Sequence, residues 1–104
     1  MIVSWSERAL IEVTHISDYI LDVFGFTANE DFLNSLQETS NLLKSNPMLG
    51  RIESLLQHLP IQYRSIVVHR HAKLIYYLNN DTIRIAAVWD TRREPKALIK
   101  ETLD

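Results

Sequence analysis

From residue 7 to residue 45 the apolar side chains recur at steps of three and four, and from residue 63 to residue 89 they alternate. This change of period, from about 3.6 to about 2, dictates helices followed by strands and therefore an α+β fold. Ala9, Val13, Ile16, Ile20 and Phe24 form one stripe of a first helix, with Leu10, Ser17 and Leu21 beside it. Ser6 is suited to cap its start ahead of Glu7, and Gly25 to stop it, because glycine accepts the left-handed backbone that ends a helix. Thr27-Ala28-Asn29-Glu30 has capping-box spacing, so a second helix is expected to begin there and to bury Phe32, Leu33, Leu36, Thr39 or Ser40, and Leu43. Ser45-Asn46-Pro47 ends it, since proline cannot continue the backbone ladder. A link this short makes the pair an antiparallel hairpin.

Met1-Ile2-Val3-Ser4-Trp5 reads as a strand entering the first helix, with its pairing left open. Residues 47–62 hold Pro47, Gly50 and Pro60 around Leu55-Leu56 and read as a loop with room for a single helical turn. Tyr63 to Val68, Lys73 to Leu78 and Thr82 to Trp89 then form three strands, joined so closely that they must be an antiparallel meander. Asn79-Asn80 is expected as the two-residue turn of its last hairpin. That register places Leu74, Tyr76, Ile83, Ile85, Ala87 and Trp89 against the helices. Lys73, Ile75, Tyr77, Thr82, Arg84, Ala86 and Val88 share the other face, which is expected to carry the cations. Pro95 suits the first position of a short C-terminal helix containing Ala97 and Leu98, with Leu103 beyond.

At 104 residues the whole chain, 1–104, is a single domain. No stretch approaches the roughly 18 uncharged apolar residues of a bilayer span, and no basic segment precedes an apolar one at the N-terminus, so a cytoplasmic location is expected. The absence of cysteine removes disulfides, thiol nucleophiles and thiolate metal ligands. His69-Arg70-His71 points two imidazoles to one side of an extended segment, fewer ligands than zinc needs. No glycine-rich phosphate loop or nucleophile elbow is present, and neither a metal nor a cofactor is expected.

A formal charge of −2 argues against a broad, non-specific nucleic-acid binder. The average hides two opposite halves. Residues 1–60 carry three cationic and eight acidic side chains, a net of −5, whereas residues 61–104 carry eight and five, a net of +3. The acidic residues of the first helix, among them Glu12, read as a solvated face. In the basic half Tyr63, Arg64, Lys73, Tyr77, Arg84, Arg92 and Arg93 combine guanidinium forks, a point charge and aromatic rings. That combination suits phosphate or a carboxylate-rich peptide.

The order of local sequences then resembles a known family. Val3-Ser4-Trp5-Ser6 runs into Ser6-Glu7-Arg8-Ala9-Leu10, and the helical hairpin and Pro/Gly link lead to Tyr63-Arg64. Lys73-Leu74-Ile75-Tyr76-Tyr77, Asp81-Thr82-Ile83 and Val88-Trp89-Asp90-Thr91-Arg92-Arg93-Glu94-Pro95 follow. Over essentially the whole chain this is similar to the RelE/ParE superfamily of bacterial type II toxin-antitoxin toxins, also called plasmid stabilisation proteins. The resemblance implies a β-α-α-β-β-β fold with a long helical hairpin on an antiparallel sheet, growth inhibition, a cognate antitoxin, and a toxin-antitoxin hetero-oligomer. It implies one of two targets: DNA gyrase for ParE-like members, or messenger RNA on the ribosome for RelE-like members.

In either branch Tyr63, Tyr77, Arg84 and Arg92 are expected to bind, and only if the chain is RelE-like does the family pattern assign catalytic positions to Arg64, Lys73 and Arg93. The two long helices resemble the ParE-like branch, and two departures weigh against a cleaving site. Asp90 stands where many cleaving members place a histidine, and the C-terminal tail has no tyrosine or histidine to act as acid or base. The alternative is a non-toxic, degenerate member that acts only as a protein-binding module.

Overall fold

A computed structural model describes residues 1–101 and Leu103. The elements in chain order are β1 (Ile2–Trp5), α1 (Glu7–Phe24), α2 (Phe26–Ser45), β2 (Arg51–Ile52), a 3-10 turn (Ser54–Leu56), β3 (Arg64–His69), β4 (Ala72–Asn79), β5 (Thr82–Asp90) and a C-terminal 3-10 segment (Pro95–Lys100). The α+β class and the expected order hold, and the segment over residues 47–62, expected to be a loop with room for one helical turn, contributes an additional strand, β2.

Ser6 caps α1 as its sequence suggests, its Oγ accepting from the Ala9 N–H at 3.0 Å. The same hydroxyl donates to the Ala86 carbonyl at 2.9 Å and so bolts the helix start to β5. Gly25, at φ 95°, lies in the left-handed region that glycine tolerates best. Its N–H donates to the Ile20 and Leu21 carbonyls, and its own carbonyl accepts from the Asn29 N–H. One residue thus closes α1 and opens α2. This corrects the expected capping box: α2 starts at Phe26, and Thr27 lies inside its first turn. The helix buries Phe32, Leu36, Ser40 and Leu43, whereas Leu33 is 41% exposed.

The sheet order is β1-β5-β4-β3-β2. β1 runs parallel to β5, with Trp5 beside Ile85, and the other neighbours are antiparallel, so the sheet is mixed. The helical hairpin supplies the crossover that parallel neighbours need. Asn79 pairs with Thr82, which moves the tight turn one residue along to Asn80-Asp81. Asn80 supplies its positive φ of 57°.

Moving the turn in this way keeps the parity of the two strands. Leu74, Tyr76, Ile83 and Ile85 therefore face the helices as expected. Beyond them Tyr76 pairs with Ile85 but Ile75 with Ala87, leaving Ala86 as the extra residue of a bulge. The bulge reverses the expected faces: Val88 turns to the helices, and Ala87 and Trp89 turn away. There they join Leu56, Tyr63, Ile75, Ala86 and Leu98 in a second buried cluster. Much of the face expected to be an open cationic surface is therefore covered by the two 3-10 segments.

Candidate functional site

Lys73, at the start of β4, extends over this second face to Glu53, its Nζ lying 2.5 Å from Oε1. Glu53 is only 6% exposed. Its Oε1 also accepts from Ser65 Oγ at 3.0 Å and its Oε2 from the Leu55 N–H at 3.1 Å. Burial alone would raise this carboxyl, but the hydrogen bonds from Lys73, Leu55 and Ser65 outweigh it and hold it below its ordinary value. Lys73 is thus the counter-ion of a buried carboxylate.

Arg64 lies opposite Tyr76 in the register, on the helix side of the sheet edge rather than beside Lys73. Its Nη1 donates to the Gly50 carbonyl at 2.8 Å. Arg64 and Tyr77 do line one surface cleft of about 410 Å³ with Ile61, Gln62, Leu78 and Asn79. Tyr63 meets Tyr77 edge to face with ring centroids 5.5 Å apart, and its hydroxyl donates to the Leu103 carbonyl at 3.2 Å. Arg84 pairs in register with Tyr77 and donates to Ser4 Oγ at 2.8 Å, toward the β1 edge.

The last two arginines leave the sheet in different directions. Arg92 lies over the Tyr19 ring, 3.5 Å from its centroid, and grips Asp90 through Nε and Nη2. Burial would raise the Asp90 carboxyl, but these bonds and the Arg92 N–H bring it below its ordinary value. A carboxylate so stabilised is a poor general base. Arg93 stacks on Trp89 at 4.1 Å and donates to Glu101 at 3.0 Å. Arg8, 3.4 Å from Glu101 and 3.4 Å from Glu12, continues this chain of charges back to α1.

The fold therefore brings Arg64 to Tyr77, and Tyr77 to Tyr63 and Arg84, but sends Lys73, Arg92 and Arg93 to three separate carboxylates. Residue types alone did not single out Glu53, although it is the sole acidic residue between Glu38 and Asp81. Glu12 also has a role that the solvated-face reading missed. Its Oε1 accepts the Val88 N–H freed by the bulge at 3.0 Å, and burial raises its carboxyl above the ordinary value despite that bond and the neighbouring Arg8.

His69 and His71 belong to an aromatic joint between the helices and the sheet end. His71 stacks on Phe24 at 5.2 Å, meets the edge of Tyr19 at 5.8 Å, and lies 5.4 Å from His69. Among the described residues no three His, Asp or Glu side chains gather in a way that could hold a metal ion. Burial lowers the His71 pKa from 6.5, reinforced by Arg70, His69 and Arg92 and opposed by Asp90. Folding therefore disfavours the protonated form of this imidazole. Stability is expected to fall as the pH drops below the unfolded value near 6.5 toward the lower native value. Urea midpoints measured at about pH 7.5 and about pH 5.5 check this, and His71→Phe should reduce the drop between them.

No described helix is long and apolar enough to cross a membrane. No curated protein sequence matches the chain. Among solved structures it is similar to one titled "Chromosomal ParDE TA system from P. aeruginosa", with a TM-score of 0.70 and 17% identity, covering 86% of this chain and 95% of that one. It is also similar to "The structure of YoeB dimer from Staphylococcus aureus", with a TM-score of 0.56 and 19% identity, covering 84% and 92% of the two chains. At these identities the likeness is one of fold. A family model described as "ParE toxin of type II toxin-antitoxin system, parDE" matches residues 3–95, and the chain belongs to that family.

Proposed function

We propose that this toxin is held by a cognate antitoxin and, when released, acts by binding DNA gyrase rather than by cleaving messenger RNA on the ribosome. The supporting observation is that the charges needed for cleavage are already committed. Cleavage through the 2′-hydroxyl requires a base, an acid and cations that gather on one phosphate. Here Lys73 holds Glu53, Arg92 holds Asp90, and Arg93 is shared between Trp89 and Glu101. A binding surface has no such requirement, and the cleft shared by Arg64 and Tyr77 is our candidate for the contact with gyrase.

Induced expression without the antitoxin is expected to arrest growth, to trap gyrase-DNA breaks and to leave transcripts intact. Cuts mapped at codon-defined positions would establish the RNA reading instead. Continued growth with abundant folded protein would favour the non-toxic binding module. Arg93 separates the two toxic modes. If it stabilised a cleavage transition state, Arg93→Ala would cost about 3 to 4 kcal/mol, a loss of roughly 150- to 900-fold in cleavage. Under the gyrase reading Arg93→Ala should retain toxicity, measured by the inducer level that halts growth.

A further inference from the structure

The sheet order puts β1 at one end, so the outer side of this strand borders no other strand among the described residues. Which of its backbone groups face outward follows from the parallel ladder. The Ile2 N–H donates to the Asp81 carbonyl at 3.1 Å and the Ser6 N–H to the Ile85 carbonyl at 2.9 Å. Residues 2, 4 and 6 therefore turn their backbone groups to β5, and alternation turns those of Val3 and Trp5 to the open side. The side chains of Val3 and Trp5 pack on the helix-side core, whereas Ser4 lies on the opposite face and accepts from Arg84. Ile2-Val3-Ser4-Trp5 has no charge and no proline to blunt the edge, and Ile2 is 65% exposed. A channel of about 420 Å³ follows it, lined by Ile2, Val3 and Trp5 of the strand and by Gln37 and Lys44 of α2, among others.

The two ends of this edge carry opposite charges. Lys44 stands at the start of β1, where its carbonyl accepts from the Met1 nitrogen at 3.2 Å. Glu7, the first residue of α1, stands at the other end. Both are exposed, and neither is ion-paired among the described residues. Asp81 also borders the start of β1, but on the β5 side, away from the open edge.

We propose that two copies of this chain form a symmetric dimer through β1, their sheets joining edge to edge about a two-fold axis at Ser4. Antiparallel apposition sets Val3 of one copy opposite Trp5 of the other, and these outward-facing residues exchange both N–H···O bonds of a hydrogen-bonded pair. Ser4 meets its equivalent at the closer, non-hydrogen-bonded position, which suits a small hydroxyl side chain. At each end the axis brings Lys44 of one copy toward Glu7 of the other, whereas parallel apposition would set like charges together. The edge is thus its own complement, and this selects a second copy over a foreign strand. The cleft of Arg64 and Tyr77 lies on β3 and β4, beyond β5, so the dimer leaves it open and does not depend on the gyrase reading.

Sedimentation equilibrium of the full chain without an N-terminal tag, from about 1 to about 500 µM, tests this. The mass should rise with concentration from 12.1 kDa toward twice that value. Over the same range amide exchange should slow more at Val3 and Trp5 than at residues 2 and 4. Glu7→Lys and Lys44→Glu, both at exposed positions, should each weaken association by about tenfold, and the two together should restore it. Val3→Pro removes an N–H that the β5 ladder does not use and should abolish the dimer. Should that variant fail to fold, the charge reversals decide.

A chain that stays monomeric throughout would overturn the proposal. So would a dimer that protects residues 66–69 or the hairpin tip at Val23-Phe24 in place of Val3 and Trp5, or a double charge reversal that associates no more tightly than the single ones.

Discussion

Lys73→Ala is expected to destabilise the fold by about 3 kcal/mol or more, because it strips the partner from a buried carboxylate. Glu53 lies at 6% exposure, so little water reaches its carboxylate in the folded state. Ser65 and the Leu55 N–H would remain as donors, but neither carries a charge. The sign of the pH dependence follows from the depressed Glu53 carboxyl. Its contribution is present above the ordinary value of 4.5 and is lost as the pH falls through the lower native value.

In Lys73→Ala the chief cause of that depression is gone, so acid unfolding should begin at higher pH than in the wild type. Denaturant titrations across pH 3 to 7, roughly the range in which carboxylates and His titrate, would show it. The double variant Glu53→Leu with Lys73→Met should recover much of the loss, because removing both charges leaves none stranded. If Lys73→Ala folds with wild-type stability, the counter-ion role is wrong. If its toxicity disappears with stability intact, the catalytic assignment regains weight over the gyrase reading.

Gly50→Ala should be comparably damaging, at about 3 kcal/mol, for a steric reason. A Cβ at this position would lie 2.8 Å from a Tyr76 ring carbon and 2.9 Å from both the Tyr76 hydroxyl and the Ser65 carbonyl oxygen. The carbonyl is part of the sheet backbone, and Tyr76 is fully buried, so neither can retreat without disturbing the core. The same hydroxyl accepts from the Gly50 N–H at 2.9 Å and donates to the Pro47 carbonyl at 2.7 Å, fastening the link after α2 to the sheet.

Tyr76→Phe, which removes only these hydrogen bonds, should cost less, about 1 to 2 kcal/mol. Comparing the two variants by thermal or urea denaturation separates the clash from the lost bonds. A Gly50→Ala protein no less stable than Tyr76→Phe would sink the steric explanation.

Several elements were legible because their causes are local. Ser6 caps α1 through a hydroxyl three residues from its target, Gly25 takes the positive φ that glycine tolerates best, and Pro47 follows the Asn46 cap that ends α2. The periods alone separated helices from strands and placed Ile16, Ile20, Phe32, Leu36 and Leu43 in the core. The pairing of β1 was not legible, since a parallel neighbour is chosen by the crossover rather than by the strand's own residues. The bulge at Ala86 was not legible either: alternation continues through Ala86-Ala87-Val88 whichever face they take. It is fixed by Ser6 and Glu12, whose side chains accommodate the Ala86 carbonyl and the Val88 N–H from the far end of the sequence.

The candidate site divides the same way. By itself the sequence determined an α+β chain, its helical hairpin and meander, and a basic second half set against an acidic first one, because periodicity, capping and charge are properties of neighbouring residues. Only the tertiary structure decided which charges remain available. It brought Glu53 to Lys73 across 20 residues and Glu101 to Arg93 and Arg8, turning apparent phosphate ligands into counter-ions. It also left the outer edge of β1 uncovered. Desolvating a carboxylate is so costly that the nearest cations are recruited to it, and which cations are nearest is settled by the folded chain.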